Sequence, residues 1–121
     1  MILPISIKSR NVLDRLHWSK KSILKKEYAL LVRNQMKLKK HYSLPVQEPT
    51  FFTLEIVSYR KRLLDYDNLI GGCKQLIDAM IDEKYIYDDS PKWLDLKVKQ
   101  VLNKDRPRFK HLHNNTWVAR Y

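Results

Sequence analysis

The chain has 121 residues, 44% of them hydrophobic, enough to close one core without disulfides or a structural metal. No apolar run approaches the ~20 residues of a membrane-spanning helix, the N-terminus lacks a signal-peptide layout, and a lone Cys73 excludes an internal disulfide or a multi-cysteine zinc site. Lys and Arg number 24 against 13 Asp and Glu, a net charge of +11. A cytoplasmic protein with a polyanionic partner is expected, and solubility alone is the plainer reading of the charge.

The absence of repeats and of Gly/Ser linkers predicts one domain over residues 1–121. Leu3, Ile5 and Ile7 alternate with Pro4, Ser6 and Lys8, the pattern of a short half-buried strand. A polar, basic stretch at 9–17 leads to a helix at about 18–40, in which Leu24, Tyr28, Leu31 and Val32 share one face. Lys26, Arg33, Lys37 and Lys40 fall on the other side, as a solvated face or as a DNA contact.

After Pro45 and Pro49, Phe51 to Tyr59 is apolar at odd and even positions alike, which predicts a central strand. Leu69, Cys73, Leu76, Ile77 and Met80 mark the buried face of a second helix at about 68–82, capped by Asp67 or Asn68. On that face Cys73 is a packed thiol rather than a nucleophile. Gly71-Gly72 is odd there: either the regular helix begins later, or something passes close to its backbone.

Asp88-Asp89-Ser90-Pro91 is a turn opening a strand with Leu94, Leu96, Val98 and Leu102 inward. Residues 103–115 are polar and irregular, and Thr116 to Tyr121 could add an edge strand. The order β-α-β-α-β(-β) predicts an α+β domain, a mixed sheet covered by two helices.

The charge is unevenly spread. Residues 1–64 carry 14 basic and 4 acidic side chains, residues 65–95 carry 3 and 8, and residues 96–121 carry 7 and 1. An acidic block would repel a phosphate ligand unless a metal ion bridged the two. Asp65 and Asp67 alternate where a strand gives way to a helix, so both carboxylates can face one ion, and Asp88 or Asp89 could join them from a neighbouring sheet position. Such oxygen donors suit Mg²⁺, with Mn²⁺ as a substitute, and call for no small-molecule cofactor. Helix capping and turn formation are the plainer roles for the same aspartates. Arg60-Lys61-Arg62 beside them, with Lys8 and Arg10 after the first strand, are candidate phosphate binders. His17, His41, His111 and His113 are scattered and none is needed for this chemistry.

Asp65-Tyr66-Asp67-Asn68-Leu69, then a helix with Lys74 and Asp78-Ala79-Met80, then Asp88-Asp89 resembles the RusA-type Holliday junction resolvases of bacteria and phages. The match covers roughly residues 58–100, in order. The resemblance implies a RusA-like fold and a magnesium-dependent homodimer that nicks branched DNA, the four-way junction, in paired symmetric cuts. It implies Asp65, Asp67 and Asp89 as metal ligands, Asp88 as their neighbour and Lys74 as the catalytic lysine. In the family prototype the lysine stands four residues after the second aspartate. Here that position is Gly71, and Lys74 follows Asp67 by seven. Lys74 has an alternative partner in Asp78 at i+4. Rival readings are another branched-DNA or RNA nuclease with the same site, or a non-enzymatic phage DNA-binding regulator whose aspartates only cap and turn.

Overall fold

A computed structural model describes residues 1–5, 7–38, 45–102 and 116–121. Its elements are β1 (Ile2–Leu3), α1 (Arg10–Arg15), α2 (Trp18–Leu38), β2 (Phe52–Arg60), α3 (Tyr66–Gly72), α4 (Lys74–Asp82), β3 (Leu94–Leu102) and β4 (Thr116–Arg120). They form an α+β domain around a mixed four-stranded sheet in the order β1-β4-β2-β3.

The doubly apolar β2 is central, as its composition predicts. It runs parallel to β3, from Phe52↔Leu94 to Arg60↔Leu102, and antiparallel to β4. Leu54 and Ile56 on one β2 face join Leu94 and Val118 in a core completed by Leu24, Tyr28, Val32 and Met36 of α2 and Leu76, Ile77 and Met80 of α4. Burying each such side chain contributes roughly 1.5–3 kcal/mol.

The edges differ from expectation. β4 lies between β2 and β1 rather than at the rim. The Met1 ammonium donates to the Val118 carbonyl at 2.6 Å, and the buried Thr116 hydroxyl donates to Ile5 O at 2.8 Å. These bonds draw the N-terminus over β4 and leave β3 as the long edge. The first strand is only two residues, because the chain turns at Ile5, whose N–H bonds Leu3 O. Leu102, predicted inward, is 45% exposed, since the covered face of β3 fades toward its C-terminal end.

The segment at 9–17 folds into α1, with the Ser9 hydroxyl accepting from Val12 N at 3.2 Å. His17 then caps α2: its Nδ1 accepts from Ser19 N and its carbonyl from Lys20 and Lys21 N. On α2 the buried series is Leu24, Tyr28, Val32 and Met36, while Leu31 is half-buried. Arg33, from the basic side, forks onto Glu83 with Nε–Oε1 at 2.6 Å and Nη2–Oε2 at 3.0 Å, and Lys25 reaches Asp82 at 3.1 Å. That side therefore partly clamps α2 to the end of α4. Lys26 and Lys37 stay exposed, and Lys40 lies outside the described residues.

The Arg33 hydrogen bonds hold the Glu83 carboxyl below its ordinary value of 4.5. A depressed folded-state value means stability present above 4.5 and lost as pH falls through the lower folded value. Glu83→Gln is therefore expected to unfold at a lower temperature than wild type at neutral pH, with the gap closing in acid. Thermal unfolding followed by circular dichroism at about pH 7 and pH 3 checks this.

The helix predicted at 68–82 is two helices. α3 ends at Gly72 and α4 begins at Lys74, with Cys73 N shared between the Leu69 and Ile70 carbonyls. The glycines stand just before this junction. A Cβ on Gly72 would stand 2.0 Å from Lys8 O, so the Ile7–Lys8 backbone passes directly over α3. Close approach of a neighbouring backbone is thus the reason for Gly72, while Gly71 lies under the Arg10 side chain.

Candidate functional site

Asp65 is the N-cap of α3, where Asp67 or Asn68 was expected, and its carboxylate accepts from Asn68 N at 2.9 Å. Asp67 sits in the first turn, where negative charge is favoured by the helix dipole. Both aspartates are exposed. The Asn68 side chain accepts from Asn11 N at 3.2 Å and ties α1 to α3.

Gln100 fixes where this begins. Its amide accepts from Leu64 N at 2.9 Å and donates to Leu64 O at 2.7 Å, imitating a strand partner for the residue just before Asp65. Sequence reasoning missed Gln100. Its signal was a polar residue breaking the inward series Leu94, Leu96, Val98.

Beside Leu64 lies an open groove of about 500 Å³ lined by Ile7, Lys8, Ser9, Val12, Arg60, Lys61, Arg62 and Leu64. It gathers four of the five candidate phosphate binders. Lys8, Lys61 and Arg62 are exposed, but Arg60 is half-buried. One Arg60 Nη donates to the Ile7 carbonyl, and its buried Nε has no hydrogen-bond partner among the described residues. Burial lowers the Arg60 pKa and pushes the neighbouring Cys73 thiol up to about 12, so Cys73 is a packed thiol. Arg10, the fifth, lies against Gly71 and pairs loosely with Asp14 at 3.7 Å.

These placements separate two roles. Arg60→Ala is expected to destabilise the fold by about 1–3 kcal/mol, because it leaves a buried carbonyl unpaired. Lys61→Ala with Arg62→Ala should leave stability within about 0.5 kcal/mol. If the groove holds a nucleic-acid backbone, the same pair should weaken that binding and flatten the dependence of log K on log salt by about one to two units. Urea titration and fluorescence anisotropy at several salt concentrations separate the effects.

Lys74 is the exposed first residue of α4, with its ammonium 3.8 Å from the Asp78 carboxylate. That is the i,i+4 alternative, and at this exposure it holds the side chain weakly.

Asp88 and Asp89 do not join Asp65 and Asp67 within one chain. They precede the start of β3, where Trp93 N and Leu94 N both bond Ser90 O at 2.9 Å. Leu64 is held at Gln100, six positions further along the same strand, or roughly 20 Å at ~3.3 Å per residue. β2 and β3 are parallel, so the segment after one strand and the segment before the other lie at opposite ends of the pair. Among the described residues no group of three or more His, Cys, Asp or Glu could hold a metal ion. His111 and His113 lie outside those residues. No described helix is long and apolar enough to cross a membrane.

Comparisons with protein-family models, with curated proteins and with solved structures give no match for this chain.

Proposed function

We propose that the protein is a Mg²⁺-dependent endodeoxyribonuclease that acts as a homodimer on branched DNA, foremost the four-way junction, by paired symmetric nicks. The observation that carries this reading is the adjacency of two features. The Asp65-Tyr66-Asp67 helix start follows directly on Leu64, which lines the groove bearing Lys8, Arg60, Lys61 and Arg62. Phosphate attraction and hard oxygen donors then meet at one place, as phosphodiester hydrolysis requires.

One chain supplies only half of a carboxylate cluster, so the donors fit a magnesium site when two chains contribute: Asp65 and Asp67 of one, with the partner's Asp88 and Asp89. Magnesium, when bound, would supply Lewis acidity and a water of lowered pKa. Lys61 and Arg62 would hold the backbone phosphates on either side of the cut. The Lys74 ammonium would offset negative charge developing on the phosphoryl oxygens. Two sites related by a two-fold axis suit a substrate that is itself near two-fold and needs two matched cuts.

The non-enzymatic reading also has an observation in its favour, since Asp65 is fully accounted for as a helix cap. One assay decides: the protein is incubated with a four-way junction or a linear duplex, with Mg²⁺ or EDTA. Paired junction nicks in Mg²⁺ alone are expected. Binding with no metal-dependent nicking would overturn the nuclease reading in favour of a DNA-binding protein.

A further inference from the structure

We propose that the groove beside Leu64 seats an unpaired nucleotide, so that the DNA this chain favours is opened at its branch point or carries a single-stranded flap. Two kinds of side chain line the groove. Lys8, Lys61 and Arg62 are exposed cations, suited to backbone phosphates. Ile7, Val12 and Leu64 are apolar, and Val12 is left 42% exposed on a helix whose buried residue is Leu13. Tyr66, two residues beyond Leu64, is 67% exposed. A surface that met only phosphate would have no use for these apolar groups.

The mixture selects the occupant. A paired duplex turns phosphate and sugar outward and keeps its base faces stacked inside, so its charges alone would meet the groove. An unpaired nucleotide offers both parts at once: a phosphate for the cations and a base whose face buries apolar surface. The space suits that unit. About 500 Å³ lies within the ~300–1,000 Å³ of pockets that enclose a small ligand, and a base swung out of its stack enters a pocket of this kind.

Arg60 is an independent sign of an anionic ligand. It is half-buried in the groove lining, one Nη donates to the Ile7 carbonyl, and its Nε has no hydrogen-bond partner among the described residues. Burial lowers its pKa, and the titratable groups acting on it are Cys73 and Tyr28, with no carboxylate among the described residues. A buried cation without an anion of its own is stabilised by a ligand that brings one. The Ile7 bond also fixes the guanidinium, and arginine planes held in this way are surfaces on which bases stack. The occupant follows from the groove lining; that its strand is held beside Asp65 for cutting rests on the nuclease reading.

The test measures binding to the full chain in EDTA, by fluorescence anisotropy at one salt concentration. The probes are a short single strand, the blunt duplex of the same sequence, and that duplex carrying an unpaired tail. The single strand and the tailed duplex are expected to bind about tenfold or more tighter than the blunt duplex, although the duplex has the denser charge. Val12→Ser with Tyr66→Ala should weaken the single strand about tenfold and leave the blunt duplex unchanged, closing most of the gap. Lys61→Ala with Arg62→Ala should weaken every probe and leave the gap in place. Unchanged far-ultraviolet circular dichroism shows that each variant folds. Equal binding of single strand and blunt duplex, or a gap that survives Val12→Ser with Tyr66→Ala, would overturn the proposal. Adding Mg²⁺ judges the nuclease reading separately. A chain that prefers unpaired DNA but cuts none keeps the groove assignment and loses the nuclease reading, and one that nicks paired junctions without preferring the unpaired probes does the reverse.

Discussion

Gly72→Ala is expected to cost about 3 kcal/mol or more, a large part of the ~5–15 kcal/mol that holds a domain of this size. The added methyl would stand 2.0 Å from Lys8 O, 3.1 Å from Lys8 C and 3.2 Å from the Ile7 Cγ2 methyl. The first two are backbone atoms, and three contacts keep that backbone in place. Ile7 is fully buried, its carbonyl receives Arg60, and Ser9 is committed to capping α1. Gly71→Ala meets only the Arg10 side chain, at 2.6–2.9 Å, and that side chain is 62% exposed and can turn aside. There the gain in helix propensity, up to about 1 kcal/mol, should offset most of the clash. Urea unfolding midpoints of the two variants check the contrast. Equal losses would show that the Lys8 crossing does not constrain α3.

The same crossing marks where the sequence ceases to be legible. Two adjacent glycines in an apolar helical pattern signal a local anomaly, but its cause lies more than sixty residues away and obeys no period. Patterns that depend on one element carried through: the two-faced apolarity of β2 placed it centrally, and the spacing of Leu24, Tyr28 and Val32 placed the buried face of α2. Strand order did not. Thr116–Arg120 alternates as an edge strand would, and what moves it inward is antiparallel pairing with Ile2–Leu3, more than a hundred residues earlier, to which the Met1 ammonium adds a hydrogen bond. The candidate site divides in the same way. Asp65 next to a basic groove follows from local order, Arg60 through Asp67. The position of Asp89 relative to Asp65 depends on the direction of β3 against β2. Spacing in sequence does not encode that direction, and the parallel register settles it.

The capping role of Asp65 allows its structural contribution to be separated from the catalytic one proposed for it. Asn caps a helix about as well as Asp, because either side chain offers an oxygen to the N–H of Asn68. Asp65→Asn should therefore change stability by no more than a few tenths of a kcal/mol, whereas Asp65→Ala should lose about 1 kcal/mol. Asp67 makes no such cap, and Asp67→Asn forfeits only its dipole interaction, about 0.3–1 kcal/mol. If both carboxylates ligate the metal, either Asn variant should lower Mg²⁺-dependent nicking by at least about 100-fold, since even outer-shell changes at metal sites cost 10–100-fold. Junction binding in EDTA should hold or tighten slightly, because each change removes negative charge beside the groove. The decisive comparison is Asp65→Asn with Asp65→Ala. Metal ligation predicts that both stop nicking while only the alanine variant is less stable. Capping alone predicts that nicking follows stability, so Asp65→Asn would cut like wild type and the aspartates would be left with no part in the chemistry.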